Sequence, residues 1–263
     1  MRFTSVLLSV LLITSIAIEI EAQQRRAGAG GLGSMGGPPS ARFDKTMRQL
    51  FGENSAFSAD MQMAMKNGDN TITMPGKIAY LDGKTRFEMD TTKIQGGGLP
   101  PQAAEQMKQM GLAEIISITR PDKKESYMVY PGLNAYAVVP EQSSSDEGEA
   151  AAKKPDVKRT EIGKETVEGH ECTKYKVVVT DDSGKAHEST IWAAKDLNNF
   201  PVKMEMVNEG IPSVITYKNV KIAKPSEELF NPPAEFKRYT DMSAMMQEAM
   251  MKRFAPQTGA PSK

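Results

Sequence analysis

Between Ala56 and Ile222 apolar and polar residues alternate with period two, and Gly, Pro, Asn and Asp break the alternation at short intervals. A side chain on a strand points to the opposite face from its neighbours, so this pattern predicts short strands with one face buried. The clearest stretch is FSADMQMAMK, where Phe57, Ala59, Met61, Met63 and Met65 share one face and Ser58, Asp60, Gln62 and Lys66 take the other. TITMPGKIAYLDGKTRFEMD reads as two strands joined at Asp82-Gly83, a pair that accepts the positive φ of a tight hairpin. Pro75-Gly76 interrupts the first of these and is expected to mark a bulge or an edge. EIISITR, ESYMVYP and NAYAVVP continue the series, as do KYKVVV, ESTIWAA, PVKMEMV and VITYKNVKI further on.

The period changes in three places. Phe43, Met47, Leu50 and Phe51 fall at helical spacing and predict a short amphipathic helix over 42–51. Pro100-Pro101 opens QAAEQMKQMG, a run of helix formers with Ala103, Met107 and Met110 as its apolar stripe. Gly111 suits the position just past its end, and the helix is expected as a lid over one sheet face. In 241–254, Met242, Met245, Met246, Ala249, Met250 and Phe254 recur three or four apart and predict a closing helix. About eleven strands with two or three helices and no long crossovers imply a mainly β (α+β) fold: a curved antiparallel sheet or half-barrel covered by helices.

Composition then sets the boundaries. Residues 1–22 combine a basic start, an apolar run from Val6 to Ile18 and Ala22 as a cleavage point, which is the pattern of a removed signal peptide and too short for a span. Residues 23–41 form a Gly/Pro-rich tether, 141–156 a polar insertion without branched apolar residues, and 255–263 a polar tail. None of these can bury enough surface to offset ordering. A single domain is therefore expected over 42–254, exported to the periplasm or beyond, with association to the outer membrane as an option, and not integral to a membrane. The chain's 33 basic residues balance 33 acidic ones, and no basic cluster interleaved with aromatics suggests nucleic acid. One cysteine excludes an internal disulfide.

Candidate chemistry is sparse. His170 and Cys172 are too few ligands for zinc, and no nucleophile motif or phosphate-binding glycine loop is present, so no enzyme and no cofactor is expected. Eighteen methionines are the unusual feature. Thioethers fill adaptable apolar walls, and in an oxidising compartment they also select Cu(I).

The block GKETVEGHECTKYKV with IWAAKDLNNFPVKMEM resembles a family of exported bacterial proteins of unknown function. The element order and the close at LFNPP resemble the outer-membrane lipoprotein carrier superfamily, over roughly Ser55 to Tyr239. That resemblance implies a half-barrel whose apolar face, covered by helices, accommodates acyl chains or another hydrophobic guest. The expected cavity walls are Met61, Met63, Met65, Tyr80, Phe87, Met107, Met110, Trp192, Met204 and Met206. Two further expectations stand beside a hydrophobic small molecule as ligand: Cu(I) bound by methionine, and an envelope protein partner docked through 241–254.

Overall fold

The computed structural model describes residues 50–97, 100–139, 156–180, 184, 186–208 and 210–254. All of them belong to the compact unit Pro39–Lys263; the other unit, Met1–Pro38, lies outside the described residues, as do the signal peptide, the tether, nearly all of the polar insertion and the tail. Of the helix expected over 42–51, Leu50 and Phe51 are described, and both are buried.

The chain runs β1 (Ala56–Asn67), β2 (Asn70–Leu81), β3 (Lys84–Asp90), α1 (Pro101–Gln109), β4 (Glu114–Arg120), β5 (Glu125–Tyr130) and β6 (Ala135–Val139). It continues through β7 (Asp156–Val167), β8 (His170–Thr180), β9 (Ala186–Ala194), β10 (Phe200–Asn208), β11 (Ile211–Lys221), β12 (Lys237–Tyr239) and α2 (Met242–Phe254). These strands make one curved, unclosed 12-stranded sheet in the order β12-β6-β5-β4-β3-β2-β1-β11-β10-β9-β8-β7. Neighbouring strands pair antiparallel, except that β12 lies parallel to β6. The chain segments on either side of the polar insertion meet where β1 pairs β11 and again where β12 pairs β6.

Hairpin turns account for the meander. Asp82 and Gly83 both take positive φ (48° and 91°), giving the two-residue turn whose twist matches the strands it joins. Glu168 and Gly169 (50° and 85°) do the same between β7 and β8.

β2 corrects one expectation, because Pro75-Gly76 lies in mid-strand with no register shift. The reason is local. Thr73 exchanges both backbone hydrogen bonds with Gln95, on the side of the sheet away from β1, and residue 75 faces the same way. The ladder to β3 starts only at Gly76, so no partner awaits the missing N–H of Pro75. Gly76 in turn lies under the Phe87 ring, whose atoms would stand 2.9 Å from an added Cβ.

Two covers close parts of the sheet. Phe51 stacks on Phe57 at 4.8 Å and meets Phe200 and Tyr217 at 5.4 and 5.8 Å, filling the middle of one face with the protein's own rings. At the β4–β6 end, α2 lays Met245, with 1% of its surface exposed, against Met128, Tyr130, Ala135 and Ala137. Asp241 caps this helix, accepting from the Ala244 N–H at 2.8 Å, and Lys237 pairs with Glu248. Phe230 plugs a third apolar cluster, with Leu81, Ile118 and Val129. α1 ends as its sequence implies: Gly111 (φ 71°) follows the helix and the Leu112 N–H returns to the Met107 carbonyl at 2.8 Å. The backbone of Gly111 presses on that of Gly132, leaving no space for a Cβ on either.

Candidate functional site

Because paired residues share a face, the register sorts the candidate side chains without reference to their contacts. Three transverse rows follow from it. Tyr217, Met61, Gly76 and Met89 form the first. Ile191, Met204, Ile215, Met63 and Met74 form the second, and Ser189, Met206, Ser213, Met65 and Ile72 the third. Met61, Met63, Met65, Met74, Met89, Met204 and Met206 therefore all stand on one face, drawn from β1, β2, β3 and β10. From β9 to β3 the three rows hold no charged side chain; on β7 the second and third rows end at Glu161 and Arg159.

This methionine face is unevenly covered. Met61, Met74 and Met204 are buried, while Met63, Met65, Met89 and Met206 are half-buried. Tyr80 and Phe87 belong to the same face, in the part closed by Phe51, where Tyr80 lies 6.4 Å from the Phe51 ring. The half-buried thioethers lie beyond that cover, toward the β1–β2 and β10–β11 turns and beside β3. Met74 and Met89 were not singled out in the sequence, although their alternation with Ile72 and Phe87 carries the signal.

Trp192 stands apart from Met204 and Met206. Its register partner on β10 is Lys203, whose side chain alternates with that of Met204, so the indole lies on the opposite face. There it is 1% exposed, with the ammonium groups of Lys203 and Lys174 at 4.1 and 4.6 Å from the ring centre. Its Nε1–H donates to Glu165 Oε2 at 2.7 Å. Met107 and Met110 are half-buried on α1 and at its C-terminal cap, outside the three rows. α1 has no fully buried residue.

The remaining chemistry is structural. His170 Nδ1 and Asp196 Oδ2 are 2.7 Å apart, and the hydrogen bond holds the Asp196 carboxyl below its ordinary range. The Cys172 thiol donates to the His170 carbonyl at 3.4 Å, and burial pushes its pKa up, away from thiolate reactivity. Among the described residues no group of three or more His, Cys, Asp or Glu could hold a metal ion, and no helix is long and apolar enough to cross a membrane. A depression of about 250 Å³ lies on the opposite face, among Asp60, Lys77, Arg86 and Glu88. A second, of about 340 Å³, is lined by Glu168, His170 and Lys218.

Fold and site together define an α+β protein built on one open sheet with a methionine-lined face. The chain belongs to the family described as a domain of unknown function, DUF4412, which matches residues 57–200. No curated protein matches it. Among solved structures it is similar to the lipoprotein LppX of Mycobacterium tuberculosis, at 12% identity over 75% of this chain and all of that one, with a TM-score of 0.39. It is similar also to a LolA superfamily protein of Nitrosomonas europaea, at 11% identity over 70% and 93% of the two chains and a TM-score of 0.32. The third is MucB in the Pseudomonas aeruginosa MucA/MucB complex, at 13% identity over 76% and 63% and a TM-score of 0.34. The chain spans less than two thirds of MucB, 62% in its complex with periplasmic MucA.

Proposed function

We propose that this is an exported, non-enzymatic binding protein that takes a lipid-like or other hydrophobic ligand against the uncovered part of the methionine face. The observation that carries the reading is the half-burial of Met63, Met65, Met89 and Met206 on the part of the face between β10 and β3, whose rows hold no charge there. Unbranched thioether side chains rearrange around guests of different shape, which suits a wall that must adapt. The closed aromatic section beside it supplies a rigid floor. Affinity comes from apolar area removed from water, at about 25 cal/mol per Å² before the ordering losses.

Two measurements test this. Organic extraction of the protein purified from its own host is expected to release a hydrophobic molecule at near-stoichiometric yield. N-phenyl-1-naphthylamine, an apolar fluorescent probe, is expected to bind the full mature chain, and Met63→Gln with Met89→Gln to weaken it at least tenfold, about 1.4 kcal/mol. Absence of both an extracted molecule and probe binding would remove the proposal.

A further inference from the structure

We infer that the methionine face also carries a soft-cation site, formed by Met63, Met65 and Met74, that takes one Cu(I) or Ag(I) ion through thioether sulfur. Met63 and Met74 are direct register partners across β1 and β2. Such partners have Cβ atoms about 5 Å apart, and diagonal neighbours such as Met65 and Met74 about 7–8 Å. Methionine has three rotatable side-chain bonds beyond Cβ or leading to it, so all three sulfurs can turn toward one point above the two strands. Met63 and Met65 are half-buried, which leaves them the freedom to do so, while the buried Met74 anchors the group.

The surrounding residues select the ion. Met65 faces Ile72 on one side and Ser213 on the other, and Met63 faces Ile215. No carboxylate, imidazole or thiolate stands in these rows on β2, β1, β11 or β10, so a hard or borderline divalent ion finds beside the methionines none of the ligands it prefers. Neutral thioethers do not offset a double charge in a partly desolvated setting, but a soft monovalent cation requires less compensation and favours sulfur. The site is independent of the apolar ligand reading, since leucine in place of these methionines keeps the face apolar while removing the sulfur.

The test is anaerobic titration of the full mature chain with Cu(I) against a colorimetric Cu(I) chelator, and with Ag(I) followed by the methionine methyl NMR signals. The expected result is one Cu(I) withdrawn per chain, no uptake of Zn(II), and Ag(I)-induced shifts centred on Met63, Met65 and Met74. Met74→Leu, a near-volume-conserving change at the buried member of the group, is expected to weaken Cu(I) at least tenfold with naphthylamine binding retained. Met128→Leu, under α2, serves as the control and is expected to leave Cu(I) uptake unchanged. Failure to withdraw Cu(I), or equal withdrawal by the Met74→Leu variant, overturns the inference, whatever the naphthylamine result.

Discussion

Trp192 is the single tryptophan of the chain, and it is buried on the face of the sheet opposite Met204 and Met206. Two lysine stems from β8 and β10 roof it, and Glu165 supplies both the acceptor for its N–H and a negative charge beside their ammonium groups. Glu165→Ala removes that acceptor and leaves a buried donor unpaired, so a loss of about 1–3 kcal/mol is expected, with most of it recovered in Glu165→Gln. Urea unfolding followed by the Trp192 emission measures both; equal stability of wild type and the Ala variant would refute the assignment. The single-strand pattern could not place this residue. Ile191 and Trp192 are adjacent and both apolar, so alternation along β9 leaves the face of each open, and the lysines that cover the ring come from neighbouring strands. Met61, Met63 and Met65 were legible because polar Asp60, Gln62 and Lys66 alternate with or flank them.

Elements, in contrast, were set largely by local signals, and the turns at Asp82-Gly83 and Gly111 follow from residues that tolerate positive φ. What local signals do not contain is which neighbour a strand meets. The Pro75 position in a central strand is compatible with pairing because the ladder to β3 stops one residue away, at the Gly76–Met89 pair. The closing segment shows the same division. Phe230, in the LFNPP close, is fully buried, and its clamp is an arginine distant in sequence. Arg120 Nη1 donates to the Phe230 carbonyl at 3.1 Å and to Asn231 Oδ1 at 2.6 Å, while Nε and Nη2 donate to both carboxylate oxygens of Asp122. That pairing pulls the Asp122 pKa from 3.8 to about 2. A depressed carboxylate pKa stabilises the fold above the unfolded value and is lost as pH falls through the folded one. Wild-type protein is therefore expected to lose this contribution between about pH 4 and pH 2. Arg120→Met is expected to be less stable at neutral pH, from loss of the clamp on Phe230 and Asn231, and to show a shallower decline over that window. Denaturant midpoints at the two ends measure it, and parallel pH slopes for the two proteins would count against the clamp.

For the molecule as a whole, the question is whether the two halves of the sheet behave as one unit. β1 and β11 pair from Asp60 to Met65, and the largest apolar cluster draws on both halves, with Phe57 and Tyr80 from one and Trp192, Phe200 and Tyr217 from the other. Phe200 meets Phe57 at 4.8 Å across that join. Neither half can expose its share of this cluster without opening the other, so a single cooperative transition is expected. The sequence of the polar insertion offers no branched apolar or aromatic residue to add to that cluster. Closing a flexible loop costs only about 0.6 kcal/mol per doubling of its length, so replacing residues 141–155 with a short Gly/Ser linker is expected to change the denaturant midpoint little. The decisive measurement compares probes from the two halves. Trp192 emission reports on β8–β10, and hydrogen exchange of β4 and β5 amides reports on the other half. Coincident urea transitions are expected, in the wild type and in the shortened chain alike. Two separated transitions would mean that the β1–β11 ladder joins two independently folding halves, and the methionine face, which spans that join from Met204 to Met89, would then form only when they dock.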